Sequence, residues 1–228
     1  MRVLLLLTIL TIPPAAWAEP LRVAVAANFR ATLELVNERY LDQGGGAVVI
    51  SSASTGVLTT QAMHGAPYHL FLAADSAGPE LLHKKGLGKT PFCYARGALA
   101  LLGGMLEDLA NGDLSLAIAN PDTAPYGRAA LAVIDRPEFA PGDQRKLVRG
   151  SNVLQAYQYW RSGTVDLALV ARSLASSGGQ AVPENWHPAL IQSATVLRPH
   201  PELDAYLAHL RSDRVRSLIL DAGYLTCP

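Results

Sequence analysis

The chain has 228 residues, of which 50% are hydrophobic and 17% are charged, so it holds enough apolar material for one or two packed cores. Its 19 basic residues balance its 19 acidic residues. Proteins that bind nucleic acids or acidic membranes carry a surplus of positive charge, and this neutral composition argues against both classes. A bound anion would have to be held by dipoles rather than by a pool of cations.

The first 18 residues have the three parts of a secretory signal peptide. Arg2 supplies a positive start, residues 3–10 are almost entirely apolar, and an A-x-A pattern closes the segment. The apolar core is shorter than the about 20 residues that a membrane-spanning helix needs. We therefore expect residues 1–18 to be removed and the mature protein to begin at Glu19, in the periplasm or outside the cell, without membrane insertion.

The first part of the mature chain alternates between strand and helix patterns. Residues 21–26 are apolar at nearly every position, which is typical of a strand buried on both faces of a sheet. Residues 31–40 have helical spacing, glycines at 44–46 break that helix, and residues 47–52 form a second strand. A third strand is predicted at residues 70–73. This order predicts parallel pairing with crossover helices.

A long apolar stretch at residues 92–102 marks the first passage into a second lobe. Its eleven residues exceed a usual strand, so one strand could serve two sheets in succession. The strand and helix patterns then repeat, and residues 191–197 are predicted to cross back. We expect an α/β protein of two lobes, each a mostly parallel sheet flanked by helices, with two crossover strands. Lobe 1 would comprise residues 19–97 and 193–228, and lobe 2 residues 98–192.

Four turns between a strand and the following helix are candidates for a ligand site, because ligands of parallel α/β sheets bind beyond the carboxyl ends of the strands. The first N–H groups of a helix lack intrahelical acceptors and lie at the positive end of its dipole, which favours an anion. One such turn alone more often only caps its helix. Together, two from each lobe, they predict a site for a small dehydrated oxyanion. The turns are Ala27-Asn28, Ser54-Thr55-Gly56, Pro125-Tyr126-Gly127 and Ser151-Asn152-Val153.

The sequence favours a binding protein over an enzyme. It contains no G-x-S-x-G elbow, no H-E-x-x-H and no glycine-rich phosphate loop. Asp75 and Asp166 lie at strand ends, where a carboxylate could act as a base in a secreted hydrolase. Aspartates in such positions usually cap a helix or brace a loop. A hydrolase is therefore kept only as the alternative from another functional class.

The two cysteines, Cys93 and Cys227, are separated by most of the mature chain and do not form a C-x-x-C motif. In an oxidising compartment this pattern predicts one structural disulfide that ties the C-terminus to the body of the protein. Two free thiols are the alternative.

Six segments of the chain, which include the four turns, carry a resemblance to a known family. They are VAVAANF (23–29), STG (54–56), GAPYHLFLAAD (65–75), AIANP (117–121), APYG (124–127) and NVLQAY (152–157). In their order and their spread over nearly the whole mature chain, they resemble the periplasmic molybdate-binding proteins, the substrate-binding components of molybdate ABC transporters. The resemblance implies the two-lobed periplasmic binding protein fold of type II and a monomer. It implies that the lobes close on a molybdate or tungstate dianion, with no other cofactor, and deliver it to an ABC permease.

Carried over position by position, the resemblance implies an oxyanion shell of Asn28, Ser54, Thr55, Tyr126 and Val153, several of them through backbone N–H groups. No metal ligand is implied, because the metal is bound as its oxyanion. A ring of fixed dipoles can satisfy a dianion without permanent cations that would attract any anion.

Three further positions are weaker candidates for the shell, namely Ala27, Asn152 and Ala171. Some family members place a hydroxyl residue at the position of Ala27, and others place a tyrosine at that of Ala171, with Arg172 beside it as a possible substitute donor. We expect the loss of either donor to change affinity. A sulfate or phosphate receptor is the alternative within the binding class, although phosphate would favour an acceptor carboxylate that the predicted shell lacks.

Overall fold

The computed structural model describes residues 19–175 and 178–228; residues 1–18, where the signal peptide is predicted, lie outside the described residues. The described residues form ten strands, β1 (Leu21–Ala26), β2 (Val48–Ala53), β3 (Leu70–Leu72), β4 (Phe92–Gly97), β5 (Leu99–Leu102), β6 (Leu116–Ala119), β7 (Leu147–Gly150), β8 (Leu167–Ala171), β9 (Gln180–Ala181) and β10 (Leu190–Val196). They also form seven α-helices, α1 (Arg30–Asp42), α2 (Thr55–Met63), α3 (Ala77–Lys84), α4 (Pro125–Ile134), α5 (Val153–Arg161), α6 (Leu203–Leu210) and α7 (Asp213–Asp221).

The first sheet has the strand order β2-β1-β3-β10-β4. β1 pairs in parallel with β2 and β3, whereas β10 pairs antiparallel with β3 and β4. Helices α1, α6 and α7 cover one face through apolar residues such as Phe29, Leu33 and Ile219. Leu58 of α2 and Leu82 of α3 pack on the other face. This two-sided burial explains why β1 is apolar at nearly every position.

The second sheet has the strand order β7-β6-β8-β5-β9. β6 pairs in parallel with β7 and β8, and β5 pairs antiparallel with β8 and β9. One apolar cluster joins this sheet to helices α4 and α5, with Val133 and Ala156 buried among the strand residues. The expected α/β architecture of two sheets flanked by helices is thus confirmed.

Both sheets are mixed, which corrects the expectation that each is mostly parallel. The strands that are followed by a crossover helix pair in parallel in each sheet. β4 and β5 follow each other with only Ala98 between them and lie in different sheets. β4 runs antiparallel to β10, and β5 runs antiparallel to β8 and β9. Residues 92–102 contribute to both sheets, as predicted, but they do so as two separate strands and not as one.

The return to the first sheet differs in detail from the prediction. β10 covers nearly the predicted residues 191–197, and it pairs only with β3 and β4 of the first sheet. The chain has therefore left the second sheet before β10 begins. The register of β10 against β4 shifts between Gln192 and Ser193. The exact lobe boundaries stay a prediction.

A disulfide joins Cys93 of β4 to Cys227, with the Cα atoms 6.0 Å apart and a sequence separation of 134. Leu225 and Arg96 also exchange two backbone hydrogen bonds of 2.8 and 2.9 Å. The C-terminal segment is thereby held along the edge of the first sheet. Within residues 19–175 and 178–228, no helix combines the length and apolarity required to cross a bilayer.

Candidate functional site

A small cavity of about 10 Å³ lies where the two sheets meet. It contains seven of the eight positions predicted from the sequence. Its lining residues are Ala26, Ala27, Asn28, Ser54, Thr55, Ala74, Ala124, Pro125, Tyr126, Asn152 and Val153. Both halves of the protein contribute, because Asn28 and Ser54 follow strands of the first sheet and Tyr126 and Asn152 follow strands of the second.

Three helices begin at this cavity, α2 at Thr55, α4 at Pro125 and α5 at Val153. Each follows the carboxyl end of a strand, which is where the sequence placed the site. Among the described residues, the N–H groups of Thr55, Tyr126 and Val153 have no hydrogen-bond acceptor. Pro125 has no N–H to leave unsatisfied and fixes the first turn of α4. The cavity therefore collects unpaired donors and the positive ends of three helix dipoles.

Ser54 provides the clearest sign of a missing partner. It is 4% exposed, and its Oγ has no hydrogen-bond partner although it is buried. Ser54 occupies the N-cap position of α2, but its side chain makes no capping hydrogen bond. A buried hydroxyl without a partner is costly, and such groups are normally satisfied. The local sequence places Ser54 as a cap, whereas the tertiary structure leaves its hydroxyl free at the cavity.

The side chains of Thr55 and Asn152 already accept hydrogen bonds from the backbone. The Oγ1 of Thr55 accepts a hydrogen bond of 3.0 Å from the backbone N–H of Ala74, so its own proton remains free to be donated. The Oδ1 of Asn152 accepts a 3.0 Å hydrogen bond from Gln155 N–H, as an N-cap residue does. This bond fixes the first turn of α5 and with it the direction of the Val153 N–H.

The side chain of Asn28 does not cap a helix but points into the protein interior. The N-cap of α1 is Phe29, and the Asn28 amide instead donates to Gln192 Oε1 at 3.0 Å and to Tyr224 Oη at 3.2 Å. The backbone carbonyl of Asn28 accepts hydrogen bonds from the hydroxyls of Tyr224 and Ser173. The group of Asn28 that is left without an acceptor among the described residues is its backbone N–H.

Tyr126 presents its backbone to the cavity and its ring to the protein interior. The residue is 2% exposed, and its hydroxyl accepts a 3.1 Å hydrogen bond from Gln192 Nε2. Burial raises the pKa of Tyr126 well above its ordinary value, so the phenol stays neutral at physiological pH. A bound anion would therefore not be repelled by a phenolate.

The two alanine positions have different environments. Ala27 lines the cavity and supplies only a methyl group there. Ala171 is fully buried at the end of β8, paired with Leu99, and is not among the lining residues. Arg172 beside it is exposed and is also absent from the lining. Neither position supplies a side-chain donor to this cavity.

No charged side chain lines the cavity within the part of the chain that the structure describes. Arg128, one turn into α4, forms a 2.7 Å ion pair with Asp75 of the other half. Asp75 also accepts a 3.1 Å hydrogen bond from Gly78 N–H at the start of α3. Asp166 accepts hydrogen bonds from the backbone and hydroxyl of Ser115. Asp166 therefore braces the loop before β8, whereas Asp75 braces the start of α3 and also joins the two halves through Arg128.

The cleft is closed across its edge by a backbone hydrogen bond. The N–H of Gly56 donates to the carbonyl of Thr123 at 2.8 Å, joining α2 to the loop before α4. A Cβ atom on Gly56 would lie 2.9 Å from that carbonyl oxygen and 3.1 Å from Thr123 Cα. The absence of a side chain therefore allows the two halves to meet.

The sequence-based prediction missed the contacts behind the cavity, chief among them Gln192. The available signal was a glutamine in a strand whose other residues are apolar or carry a hydroxyl, because a fully buried amide must find hydrogen-bond partners. Thr123 was missed for another reason. Its contribution is a backbone carbonyl, which no side-chain pattern reveals.

Comparison with known proteins identifies the family of this chain. Residues 21–225 match the family model described as bacterial extracellular solute-binding protein. The chain is 34% identical to the molybdate-binding protein ModA of Azotobacter vinelandii, over 92% of this chain and 91% of that protein. It is 31% identical to the protein of the same name from Rhodobacter capsulatus, over 93% and 90% of the two chains.

A solved structure supports the same assignment. The periplasmic molybdate-binding protein of Azotobacter vinelandii superimposes with a TM-score of 0.85 at 31% identity, covering 91% of this chain and 100% of that one. The match therefore extends over both sheets. The chain belongs to the bacterial extracellular solute-binding proteins, as a homologue of the molybdate-binding protein ModA.

Proposed function

We propose that this protein binds molybdate or tungstate as the intact dianion in the cavity between its two sheets and releases it to an ABC permease. The observation that supports this most directly is the Ser54 hydroxyl, which is buried without a partner beside three helix N-termini. The proposed shell is Asn28, Ser54, Thr55, Tyr126 and Val153. Asn28, Tyr126 and Val153 act through their backbone N–H groups, and Ser54 acts through its hydroxyl.

The chemistry of the donors favours a fully deprotonated oxyanion. Each hydrogen bond to a charged ligand contributes about 1.5–3 kcal/mol net, so several such bonds can offset the cost of dehydrating the anion. Hydrogen phosphate carries a proton of its own and would need an acceptor such as a carboxylate. No carboxylate lines the cavity among the described residues. Sulfate shares the charge and shape of molybdate and is separated from it by size.

We also propose the cellular setting that the sequence predicts. Residues 1–18 would direct export to the periplasm and be removed, and the mature protein would act as a monomer that delivers its ligand to a membrane permease. Residues 19–97 with 193–228 would form one lobe and residues 98–192 the other, except that residues 190–192 belong to β10 of the first sheet. The similarity to the periplasmic molybdate-binding protein of Azotobacter vinelandii supports the periplasmic location.

A panel of oxyanions tests the proposed function. Purified protein is heated with molybdate, tungstate, sulfate, phosphate or buffer alone, and the melting temperature is measured at several ligand concentrations. We expect molybdate and tungstate to raise the melting temperature in proportion to the logarithm of concentration, as mass action requires. Sulfate and phosphate should have no effect at equal concentrations. A shift with sulfate that equals or exceeds the one with molybdate would contradict the assignment.

Removal of the two hydroxyls at the start of α2 should weaken binding. We expect Ser54→Ala combined with Thr55→Ala to raise the dissociation constant for molybdate at least about tenfold, because two donors to a buried dianion are lost. Isothermal calorimetry measures the change. Thr60→Ala is the matched control, because its hydroxyl lies on the same helix, bonds the carbonyl of Gly56 and does not line the cavity. Unchanged affinity in the double variant would remove Ser54 and Thr55 from the shell.

A further inference from the structure

Gln192 lies directly behind the cavity, at the place where the two sheets meet. It is fully buried in β10, at the register shift against β4. Its Oε1 accepts hydrogen bonds from Asn28 Nδ2 at 3.0 Å and from the Tyr94 hydroxyl at 2.8 Å. Its Nε2 donates to the Tyr126 hydroxyl at 3.1 Å. One amide therefore contacts a cavity residue from each half of the protein.

The surrounding backbone leaves room for this contact. Gly97 lies opposite Leu190 in the β4–β10 pairing, one residue before the chain passes into the second sheet. A Cβ atom on Gly97 would overlap the Tyr126 hydroxyl and would lie 2.8 Å from Gln192 Nε2. Any residue with a side chain at position 97 would displace Tyr126 from Gln192.

The contact is also largely shielded from solvent. Tyr126 is buried and Tyr94 is half-buried, and burial raises the pKa of both phenols well above the ordinary value, so the hydroxyls remain neutral. In such an environment a lost hydrogen bond is not replaced by water, and the remaining partner keeps the full cost of its burial.

We propose that Gln192 is a positioning residue that sets the distance between the two halves of the oxyanion site. It acts through Asn28 on one side and Tyr126 on the other, and it does not contact the anion. The hydrogen bond to Tyr126 spans the two halves, whereas the bond from Tyr94 lies within the first sheet. This difference separates a role in anion binding from a role in stability alone, and it rests on the proposed binding of molybdate.

The test compares three single variants and one double variant by calorimetry with molybdate and by thermal melting without it. Gln192→Leu removes the amide, and Tyr126→Phe removes only the hydroxyl that bridges the halves while keeping the backbone N–H. We expect the dissociation constant to rise about tenfold for Gln192→Leu and about fivefold for Tyr126→Phe. The double variant Gln192→Leu, Tyr126→Phe should bind molybdate no more weakly than Gln192→Leu alone, because both changes remove the same contact.

Tyr94→Phe is the matched control. This variant also removes one hydrogen bond to Gln192, the one that the Tyr94 hydroxyl donates to Oε1. It should therefore lower the melting temperature without ligand, yet change the dissociation constant less than about twofold. Equal affinity of Gln192→Leu and wild type, or effects that add in the double variant, would overturn the role of Gln192. Absence of molybdate binding by the wild type in the same experiment would overturn the proposed function instead. If Gln192→Leu does not fold, the dissociation constants of Tyr126→Phe and Tyr94→Phe are compared instead. Equal values would overturn the role of Gln192.

Discussion

A Gly56→Ala variant should lose molybdate affinity while its stability without ligand stays equal to that of the wild type or increases. The added methyl group would lie 2.9 Å from the carbonyl oxygen of Thr123, closer than such atoms approach, so the halves could not close fully. Overpacking of this kind costs about 1–3 kcal/mol, which corresponds to a dissociation constant raised about fivefold to 150-fold. Gly56 is the second residue of α2, where alanine is the better helix former by about 1 kcal/mol.

The opposite signs of the two effects make this variant informative. Calorimetry with molybdate measures affinity, and thermal melting without ligand measures stability. Gly112→Ala serves as the control, because its added methyl would meet no atom closer than 3.4 Å and it lies outside the cavity. A Gly56→Ala protein that binds molybdate as tightly as Gly112→Ala would show that the contact with Thr123 is not needed for closure.

Loss of the disulfide should cause the largest change in stability. Cys93 and Cys227 close a loop of 134 residues, and the chain-entropy model credits a loop of that length with about 5 kcal/mol. We expect the Cys93→Ser, Cys227→Ser double variant to unfold at a clearly lower denaturant concentration than the oxidised wild type. The free energy of unfolding is obtained from denaturant titrations monitored by circular dichroism.

The reductant provides an internal control for this prediction. Wild-type protein treated with dithiothreitol should unfold at the midpoint of the double serine variant, and dithiothreitol should not shift the midpoint of that variant. Equal midpoints for oxidised and reduced wild type would mean that the hydrogen bonds between Arg96 and Leu225 already hold the C-terminal segment.

Much of the site could be predicted because its signals are local. Ser54-Thr55-Gly56 and Asn152-Val153 combine a preceding apolar strand with residues that favour the first turn of a helix, and both features depend on near neighbours in sequence. The structure places both turns, together with Tyr126, around one cavity.

The contacts between residues that are distant in sequence could not be predicted from local patterns. Asn28 has a typical capping side chain, but its amide bonds to Gln192 and Tyr224, which are 164 and 196 residues away. The mixed sheets likewise follow from how β4 and β10 pair, and an apolar pattern carries no strand direction.

The sequence by itself determined the strands, the helix N-termini and the neutral character of the site, because hydrophobic periodicity and capping residues act over a few positions. Only the tertiary structure decided which donors remain free. The Ser54 hydroxyl has no partner, the side-chain amide of Asn28 donates to Gln192, and the N–H of Gly56 donates to the carbonyl of Thr123 across the cleft. These outcomes depend on which groups meet when two sheets far apart in the chain pack together, and a buried polar group takes whichever partner lies within reach.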